Sequence, residues 1–271
     1  MTLVHAIILA IIEGLTEFLP ISSTAHMKIV DFLVGIPETP FRNLYEIVIQ
    51  LAAILSVVVL FWRKFLDFKN IKFYIKLVIA VIPALVFGAL LKKHIDSVLS
   101  NLTFIACIMI AGGIILLFVD KWFTKNTIDS EEKIDYFTSL KIGLFQVLSI
   151  LFPGLSRSAS TIIGGMSLGL TKKEAAEFSF FLAVPTMLAA SAKSTLDVIQ
   201  EGSVAFATPE IIALAVGCIV SFVVALFAVK SFIEIIQKFG FRFFGIYRII
   251  IGSVILLLLL FNHYSDFTRS I

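Results

Sequence analysis

The fold is decided by residues 13–26, which read EGLTEFLPISSTAH inside an otherwise apolar run from about residue 3 to about residue 36. A second apolar run, about 138–170, is broken in the same way at Pro153-Gly154. Each arm of these two runs holds roughly 12–16 residues, which at about 1.5 Å per residue covers little more than half of a hydrocarbon core of about 30 Å. The two runs are either kinked full spans or re-entrant hairpins. Polar backbone at membrane depth is tolerated only where protein or a wet cavity surrounds it, which favours hairpins.

The composition of the chain requires lipid as its main solvent. Of the 271 residues, 59% are hydrophobic and 15% are charged, with a mean hydropathy of +1.03, whereas a soluble domain has about 25% charged residues. Six further apolar runs reach the roughly 20 residues that a spanning helix needs. They cover about 44–62, 75–92, 102–119, 177–193, 210–232 and 245–262. We therefore predict an all-α polytopic membrane protein, a single domain over residues 1–271 with six transmembrane helices and two re-entrant helical hairpins.

The basic residues predict the orientation of the spans. If the loop that carries Arg63 and Lys64 is cytoplasmic, thirteen lysines and arginines lie on the cytoplasmic side and six on the other. This asymmetry follows the positive-inside rule, and the first hairpin then opens outward and the second inward. The scattered basic residues and the net charge of +3 give no indication of a nucleic-acid partner. The first residues lack a basic segment and a cleavage site, so we expect them to belong to the mature fold.

The two halves of the chain resemble each other, which predicts an internal repeat. A shift of 133 residues pairs polar residues and prolines, placing Glu13 on Gln146, Pro20 on Pro153 and Ser23 on Ser156. Each half, about 1–119 and about 138–262, would be a broken hairpin followed by three spans, so the second copy is inverted. Inverted-topology repeats place their sites near the midplane of the membrane, where the broken elements meet.

Two carboxylates precede the first break. Glu13 and Glu17 are four residues apart and therefore share one helix face. At low dielectric both cannot stay ionised unaided, so either one is protonated or a cation lies between them. Mg²⁺ (or Ca²⁺) prefers oxygen ligands and suits a carboxylate pair beside a phosphate. The alternative is that one glutamate faces the headgroups while the other caps a helix, but ionisable residues at this depth favour a functional site.

Hydroxyls and a histidine follow Pro20. Ser22, Ser23 and Thr24 either cap the second half-helix, the simpler role for Ser22, or bind phosphate together with the free N–H groups of a helix start. Among the four histidines of the chain, only His26 lies in such a cluster. An imidazole beside serine and glutamate is suited to proton transfer.

The second break, residues 153–161, reads PGLSRSAST and carries an arginine at membrane depth. Such an arginine normally needs an anionic partner, and its planar fork matches phosphate bidentately. The alternative is a permanent salt bridge from Arg157 to Glu13 or Glu17 that only locks the hairpins together. The candidate phosphate-binding residues of this segment are Gly154, Ser156, Arg157, Ser158 and Thr161.

At these residues the chain resembles the bacterial undecaprenyl-diphosphate phosphatases, the family linked to bacitracin resistance. The resemblance rests on EGLTEFLPISSTAH at 13–26, YEIVIQL at 45–51 and PGLSRS at 153–158, and it runs through nearly the whole chain. Ala25 and Ala159 stand where the family usually has glycine, and both remain small.

The resemblance implies hydrolysis of a C55 polyprenyl diphosphate to its monophosphate, which recycles the lipid carrier of cell-wall synthesis. It implies six spanning helices and two re-entrant hairpins in the bacterial inner (plasma) membrane, with an active site open toward the outer face. Glu13 and Glu17 would be the metal and acid–base carboxylates, Ser23 and His26 the nucleophile and proton-transfer group, and Arg157 the diphosphate clamp. The oligomeric state is open, and a homodimer is compatible with the sequence.

The residues themselves also indicate phosphoryl transfer, which depends mainly on positioning and on stabilising negative charge. Ser23 attacking covalently and an activated water both fit the same residues. The isoprenoid tail would stay in lipid while the diphosphate enters the cavity. The main alternative is a secondary transporter or flippase for an anionic lipid, which an inverted repeat fits equally well. A purely structural membrane protein is disfavoured by the many polar groups at membrane depth.

Overall fold

The computed structural model describes residues 1–37, 39–99, 101–201 and 208–269. These residues form helices and connecting loops, and no β-strand occurs among them. The helices are α1 (Leu3–Thr16), α2 (Ser23–Val34), α3 (Pro40–Leu60), α4 (Trp62–Phe65), α5 (Ile71–Leu90), α6 (Lys92–Leu99), α7 (Leu102–Trp122), α8 (Tyr136–Leu151), α9 (Arg157–Ser167), α10 (Lys172–Glu201), α11 (Thr208–Phe239) and α12 (Arg242–Arg269). A short 3-10 turn, Glu131–Lys133, lies between α7 and α8.

Six of the described helices are long and apolar enough to cross a membrane: α3, α5, α7, α10, α11 and α12. The prediction of an all-α polytopic membrane protein with six spans is confirmed. Five of the six begin two to five residues before the predicted apolar runs, and α7 begins with its run at Leu102. Side-chain caps set the first turns of α3, α5 and α7. Thr39 accepts a hydrogen bond from the Arg42 N–H with Pro40 at the first helical position, and Asn70 and Asn101 cap α5 and α7 in the same way.

The two broken runs form two pairs of short helices. In the first pair α1 has 14 residues and α2 has 12, and in the second α8 has 16 and α9 has 11. Within each pair the two short helices pack against each other. At about 1.5 Å per residue such helices are too short to cross the bilayer. That the pairs are re-entrant hairpins stays a prediction.

The helices of the two halves pack in matching pairs. The first helix of each half packs on the second spanning helix of the other half, α1 on α11 and α8 on α5, while α3 packs on α10 and α7 on α12. That the two halves are an inverted repeat stays a prediction. The two half-helices α2 and α9 start from equivalent serines, Ser22 and Ser156, which have positive φ values of 71° and 76°. Aligned in this way, Ser23 corresponds to Arg157. The shift of 133 residues is therefore one residue short at this point, since the second break has one more residue between its proline and its helix start.

Small residues let these helices approach closely, as is typical of packing inside membranes. A Cβ atom on Gly14 of α1 would lie 2.7 Å from the Ser221 carbonyl of α11. A Cβ atom on Gly143 of α8 would overlap with the backbone of Ala80 on α5. These two crossings hold the inner ends of α1 and α8, and with them the two breaks, at the centre of the molecule.

Candidate active site

The first break presents Glu17 and Ser23 from a tightly held turn. Glu17 ends α1, and the next residue, Phe18, is fully buried with its ring edge-on to Phe180, the centroids 5.4 Å apart. Ser22 then caps α2, its Oγ accepting a hydrogen bond from the Ala25 N–H at 3.4 Å. The positive φ of Ser22 costs about 1–3 kcal/mol of strain, which the surrounding structure must offset. Such strain is typical of a functional site, and it fixes the direction in which Ser23 leaves the turn.

The second break presents Arg157 from a matching turn. Gly154 has φ of 98°, and a Cβ atom there would lie 2.6 Å from the Ile105 carbonyl of α7, so only glycine fits without movement. Ser156 caps α9 by accepting a hydrogen bond from the Ala159 N–H at 3.3 Å. Arg157 is the first residue of α9. Both breaks therefore end in a helix start capped by a serine of positive φ.

Glu17 joins the two breaks. Ser23 Oγ donates a hydrogen bond to Glu17 Oε2 over 2.6 Å, and Arg157 Nη2 donates to Glu17 Oε1 over 3.1 Å. Gln50 Nε2 of α3 lies 3.5 Å from Glu17 Oε2. The salt bridge from Arg157 thus goes to Glu17 and not to Glu13. Nη1 of Arg157 donates to the Ser179 carbonyl at 3.3 Å, and its buried Nε has no hydrogen-bond partner among the described residues.

Two adjoining cavities meet at these groups. The large cavity, about 580 Å³, is lined at one end by polar residues, namely Glu17, Ser22, Ser23, Thr24, Gly154, Ser156 and Arg157. Elsewhere it is lined by apolar residues of α5 and α6, namely Leu85, Gly88, Ala89, Ile95 and Leu99, and by Lys193, Ser194 and Asp197 of α10. The small cavity, about 270 Å³, is lined by Glu13, Ser23, Thr24, Asn43, Glu46 and Gln50, among others. One polar pocket with an apolar extension suits a molecule with an anionic head and a hydrocarbon tail.

Two predicted phosphate-binding residues, Ser158 and Thr161, line neither cavity. Ser158 Oγ donates to the Leu19 carbonyl at 2.7 Å and so ties the second break to the first. Thr161 Oγ1 donates or accepts a hydrogen bond of 2.7 Å with Ser179 Oγ of α10. In this structure both hydroxyls belong to the framework around the cavity.

His26 also lies beside the cavities without lining them. Its Nδ1 is 2.8 Å from the Ser22 carbonyl, and its Nε2 is 2.7 Å from the Tyr247 hydroxyl. Because a carbonyl oxygen can only accept, Nδ1 carries the hydrogen, and Nε2 of the neutral ring accepts from Tyr247. The ring also stacks on that of Tyr247, with centroids 5.6 Å apart. The predicted proton transfer by His26 to or from a ligand in the cavity stays a prediction.

The predicted metal pair, Glu13 and Glu17, fits a hard cation in its chemistry. Glu13 is 3% exposed, and its Oε1 has no hydrogen-bond partner among the described residues. The small cavity beside it contains carboxylate and amide oxygens, the ligands that Mg²⁺ and Ca²⁺ prefer. Within the described residues no group of three or more histidine, cysteine, aspartate or glutamate side chains could hold a metal ion. Two carboxylates would therefore need water or ligand oxygens to complete the coordination.

Sequence reasoning assigned no role to the buried Arg248 or to Gln50. Arg248 is fully buried on α12 and donates to backbone carbonyls of both breaks. In the sequence, Arg248 is recognisable as a charged residue inside the sixth apolar run, about 245–262. Gln50 lines both cavities, and in the sequence it lies in the YEIVIQL segment at 45–51 that carries the family resemblance.

Comparisons with known proteins show the family of the chain. The family model described as bacitracin resistance protein BacA matches residues 6–254. The undecaprenyl-diphosphatase of Flavobacterium johnsoniae is 49% identical, with 97% of this chain and 98% of the relative covered. The undecaprenyl-diphosphatases of Flavobacterium psychrophilum and Bdellovibrio bacteriovorus are 50% and 46% identical over the same shares. The chain belongs to the bacitracin resistance protein BacA family.

Proposed function

We propose that this protein is an integral membrane phosphatase that hydrolyses undecaprenyl diphosphate to undecaprenyl phosphate and inorganic phosphate, and so recycles the lipid carrier of cell-wall synthesis. Relatives that match nearly the whole chain carry the name of this activity. The observation that carries the proposal is the group of three side chains in the large cavity. Glu17 accepts from Ser23 at 2.6 Å and from Arg157 at 3.1 Å, which brings a nucleophile, a base and an anion-binding fork together.

In the proposed first step Ser23 Oγ attacks the terminal phosphorus of the diphosphate. A bond forms between Oγ and phosphorus, the bond from that phosphorus to the bridging oxygen breaks, and undecaprenyl phosphate leaves. Glu17 takes the hydroxyl proton, for which its hydrogen bond with Ser23 is already in place. Glu17 gives this proton to the phosphate oxygen of the departing undecaprenyl phosphate. Water then attacks the phosphoserine, Glu17 takes a proton from that water and returns it to Ser23 Oγ as the Oγ–phosphorus bond breaks, and inorganic phosphate and free Ser23 result. If water attacks directly instead, Ser23 and Glu17 orient it.

Arg157 and the two helix starts would stabilise the negative charge. Arg157 lines the large cavity, where its guanidinium would bind a phosphate oxygen while Nη2 holds Glu17 in place. The N–H groups at the starts of α2 and α9 add positive potential. Ser22, Thr24, Gly154 and Ser156 line the same end of the cavity and would bind or approach the diphosphate.

Glu13 and Glu17 would hold Mg²⁺ or Ca²⁺, which would add positive charge beside the phosphates. The buried, unpartnered Oε1 of Glu13 supports this assignment. Glu46 and Asn43 line the same small cavity, and Arg42 holds both of them, donating to Glu46 Oε1 at 2.7 Å and to Asn43 Oδ1 at 3.1 Å. Arg42 thereby fixes the oxygens on the side of the cavity facing Glu13.

The apolar part of the large cavity would receive the first isoprenoid units, and the rest of the tail would lie in lipid. We place the protein in the bacterial inner membrane with the cavity open to the outer face. The distribution of lysines and arginines supports this orientation. A homodimer remains compatible with the chain.

Phosphate release from C55 diphosphate by the purified protein in detergent micelles tests the proposal, because no gradient exists there. We expect release with Mg²⁺ and little after chelation. Ser23→Ala and Glu17→Gln should lose at least a hundredfold in rate, while Ser167→Ala and Glu234→Gln, at exposed positions, keep wild-type rates. Absence of release by the wild type, with movement of the lipid across vesicles, would favour a transporter. Acid quenching with a terminally labelled diphosphate separates the two routes, since only attack by Ser23 leaves label on the protein.

A further inference from the structure

Arg248 connects both breaks to one guanidinium group. Its Nη1 donates to the Pro20 carbonyl at 3.0 Å and to the Leu155 carbonyl at 2.7 Å, and its Nη2 donates to the Gly154 carbonyl at 2.8 Å. Its Nε donates to the Met109 carbonyl of α7 at 3.2 Å. The first break, the second break and a spanning helix are thus tied together by one side chain.

The accepting carbonyls need such a donor. The carbonyls of Pro20, Gly154 and Leu155 belong to the turns that follow α1 and α8, where the hydrogen bonds of these helices have ended. Water is scarce at this depth, so an unpaired carbonyl there is unfavourable. Arginine alone offers five N–H groups in a rigid plane, enough to serve several carbonyls at once. The side chain is fully buried and lines neither cavity, so it acts on the site only through the backbone.

The helix crossing around Arg248 is shaped to admit it. A Cβ atom on Gly112 of α7 would overlap with Nη2 of Arg248, so glycine leaves the space that the guanidinium fills. The neighbouring Tyr247 donates its hydroxyl to His26 of α2. α12 therefore contacts the first break at two places. Arg248 hydrogen-bonds to its turn at Pro20, and Tyr247 hydrogen-bonds to His26 of the half-helix α2.

We infer that Arg248 is a positioning residue of the phosphatase, which sets the first break against the second and so places Ser23 and Glu17 opposite Arg157. This inference rests on the proposed function of the same site. Since a misplacement of about 1 Å can lower a rate about a hundredfold, a shift of one break should reduce kcat far more than it changes KM.

The test compares two glycine variants at the same helix crossing. Gly112→Ala drives a methyl group into the guanidinium, whereas Gly252→Ala, one turn along α12 from Arg248, meets Ile110, Met109 and the Ala106 carbonyl instead. We expect Gly112→Ala to lower kcat by about ten- to a hundredfold with KM within about threefold, and Gly252→Ala to keep kcat within about threefold. Thermal unfolding in micelles measures the damage that each variant does to the fold.

Substitution of the arginine itself completes the comparison. Arg248→Lys keeps the charge and part of the hydrogen bonding, so its kcat should lie between those of the wild type and Arg248→Met. If Arg248→Met does not fold, the glycine pair decides. Equal kcat in Gly112→Ala and Gly252→Ala at comparable stability, or a rise in KM that matches the loss in kcat, would overturn the inference. A failure of the proposed function would appear earlier, as a wild-type protein that releases no phosphate.

Discussion

Replacement of Arg157 by alanine is the sharpest test of the catalytic assignment. The side chain of Arg157 is 12% exposed and that of Glu17 is 4% exposed, so the pair is largely shielded from water. Arginines that stabilise the transition state of phosphoryl transfer are worth about 10³-fold or more in rate. A loss of 10³ in kcat/KM corresponds to about 4 kcal/mol of transition-state stabilisation. We expect Arg157→Ala to show at least this loss.

The variant also leaves Glu17 buried without its cation. Removing one partner of a buried ion pair lowers the free energy of unfolding by about 3–5 kcal/mol. Adding Glu17→Gln to Arg157→Ala should therefore recover stability but no activity. Arg157→Lys, which keeps the charge and loses the planar fork, should retain a small part of the rate.

The assay is phosphate release from C55 diphosphate in micelles, with thermal unfolding measured on the same samples. Arg63→Ala, at an exposed arginine next to α3, is the matched control and should be unchanged in both. Guanidinium ion added to Arg157→Ala should restore some turnover, because the vacated space opens on the large cavity. Turnover of Arg157→Ala within tenfold of the wild type would refute the assignment and leave the salt bridge as a purely structural lock.

Three further predictions concern stability, each measured as the free energy of unfolding in micelles. Lys76→Met should cost about 3–5 kcal/mol, because Lys76 Nζ pairs with the buried Glu131 Oε1 at 2.7 Å, and Glu131→Gln in the same protein should recover part of it. Asp135→Ala should cost about 1 kcal/mol, since Asp135 caps α8. Hydrogen bonds from the first turn of α8 lower the pKa of Asp135, so its contribution is full at pH 7 and disappears as the pH falls below about 4. Gly143→Ala should cost about 1–3 kcal/mol or more, because its Cβ overlaps with the backbone of Ala80.

Each of these has a control within the chain. The Lys133–Asp129 pair is 58% and 62% exposed, so Lys133→Met should lower the free energy of unfolding far less than Lys76→Met does. Gly88→Ala should be tolerated, since nothing lies within 4 Å of its Cβ position. An Asp135→Ala penalty that is the same at pH 3 as at pH 7 would contradict the capping argument.

The spans and the location of the site were predictable because lipid imposes a simple rule on sequence. A run of apolar residues long enough to cross the bilayer becomes a helix, and polar residues inside such a run must face protein or a cavity. Glu17, Ser23 and Arg157 stand out for this reason, and the structure brings them together within hydrogen-bonding distance.

The directions of the side chains were not predictable, because they depend on the two turns. Ser22 has a positive φ that non-glycine residues seldom adopt, and this turn places Ser23 in the cavity while His26 faces Tyr247. From their positions in the sequence, Ser156 and Ser158 are equally good candidates for phosphate binding, although only Ser156 lines the large cavity. Arg248 is 228 residues from Pro20 in sequence, so no local pattern joins them.

The packing of α1 on α11 has a consequence for the order of synthesis. α1 is complete at Thr16, whereas α11 begins at Thr208, so the partner of α1 is made only after roughly 190 more residues. At about 5–20 residues per second, α1 waits about 10–40 s for the helix on which it packs. α12, which carries Arg248, follows later still. A chain that stops before residue 242 contains both breaks but lacks Arg248, the residue that hydrogen-bonds to both of them. The last helix to be made is thus the one that joins the two breaks.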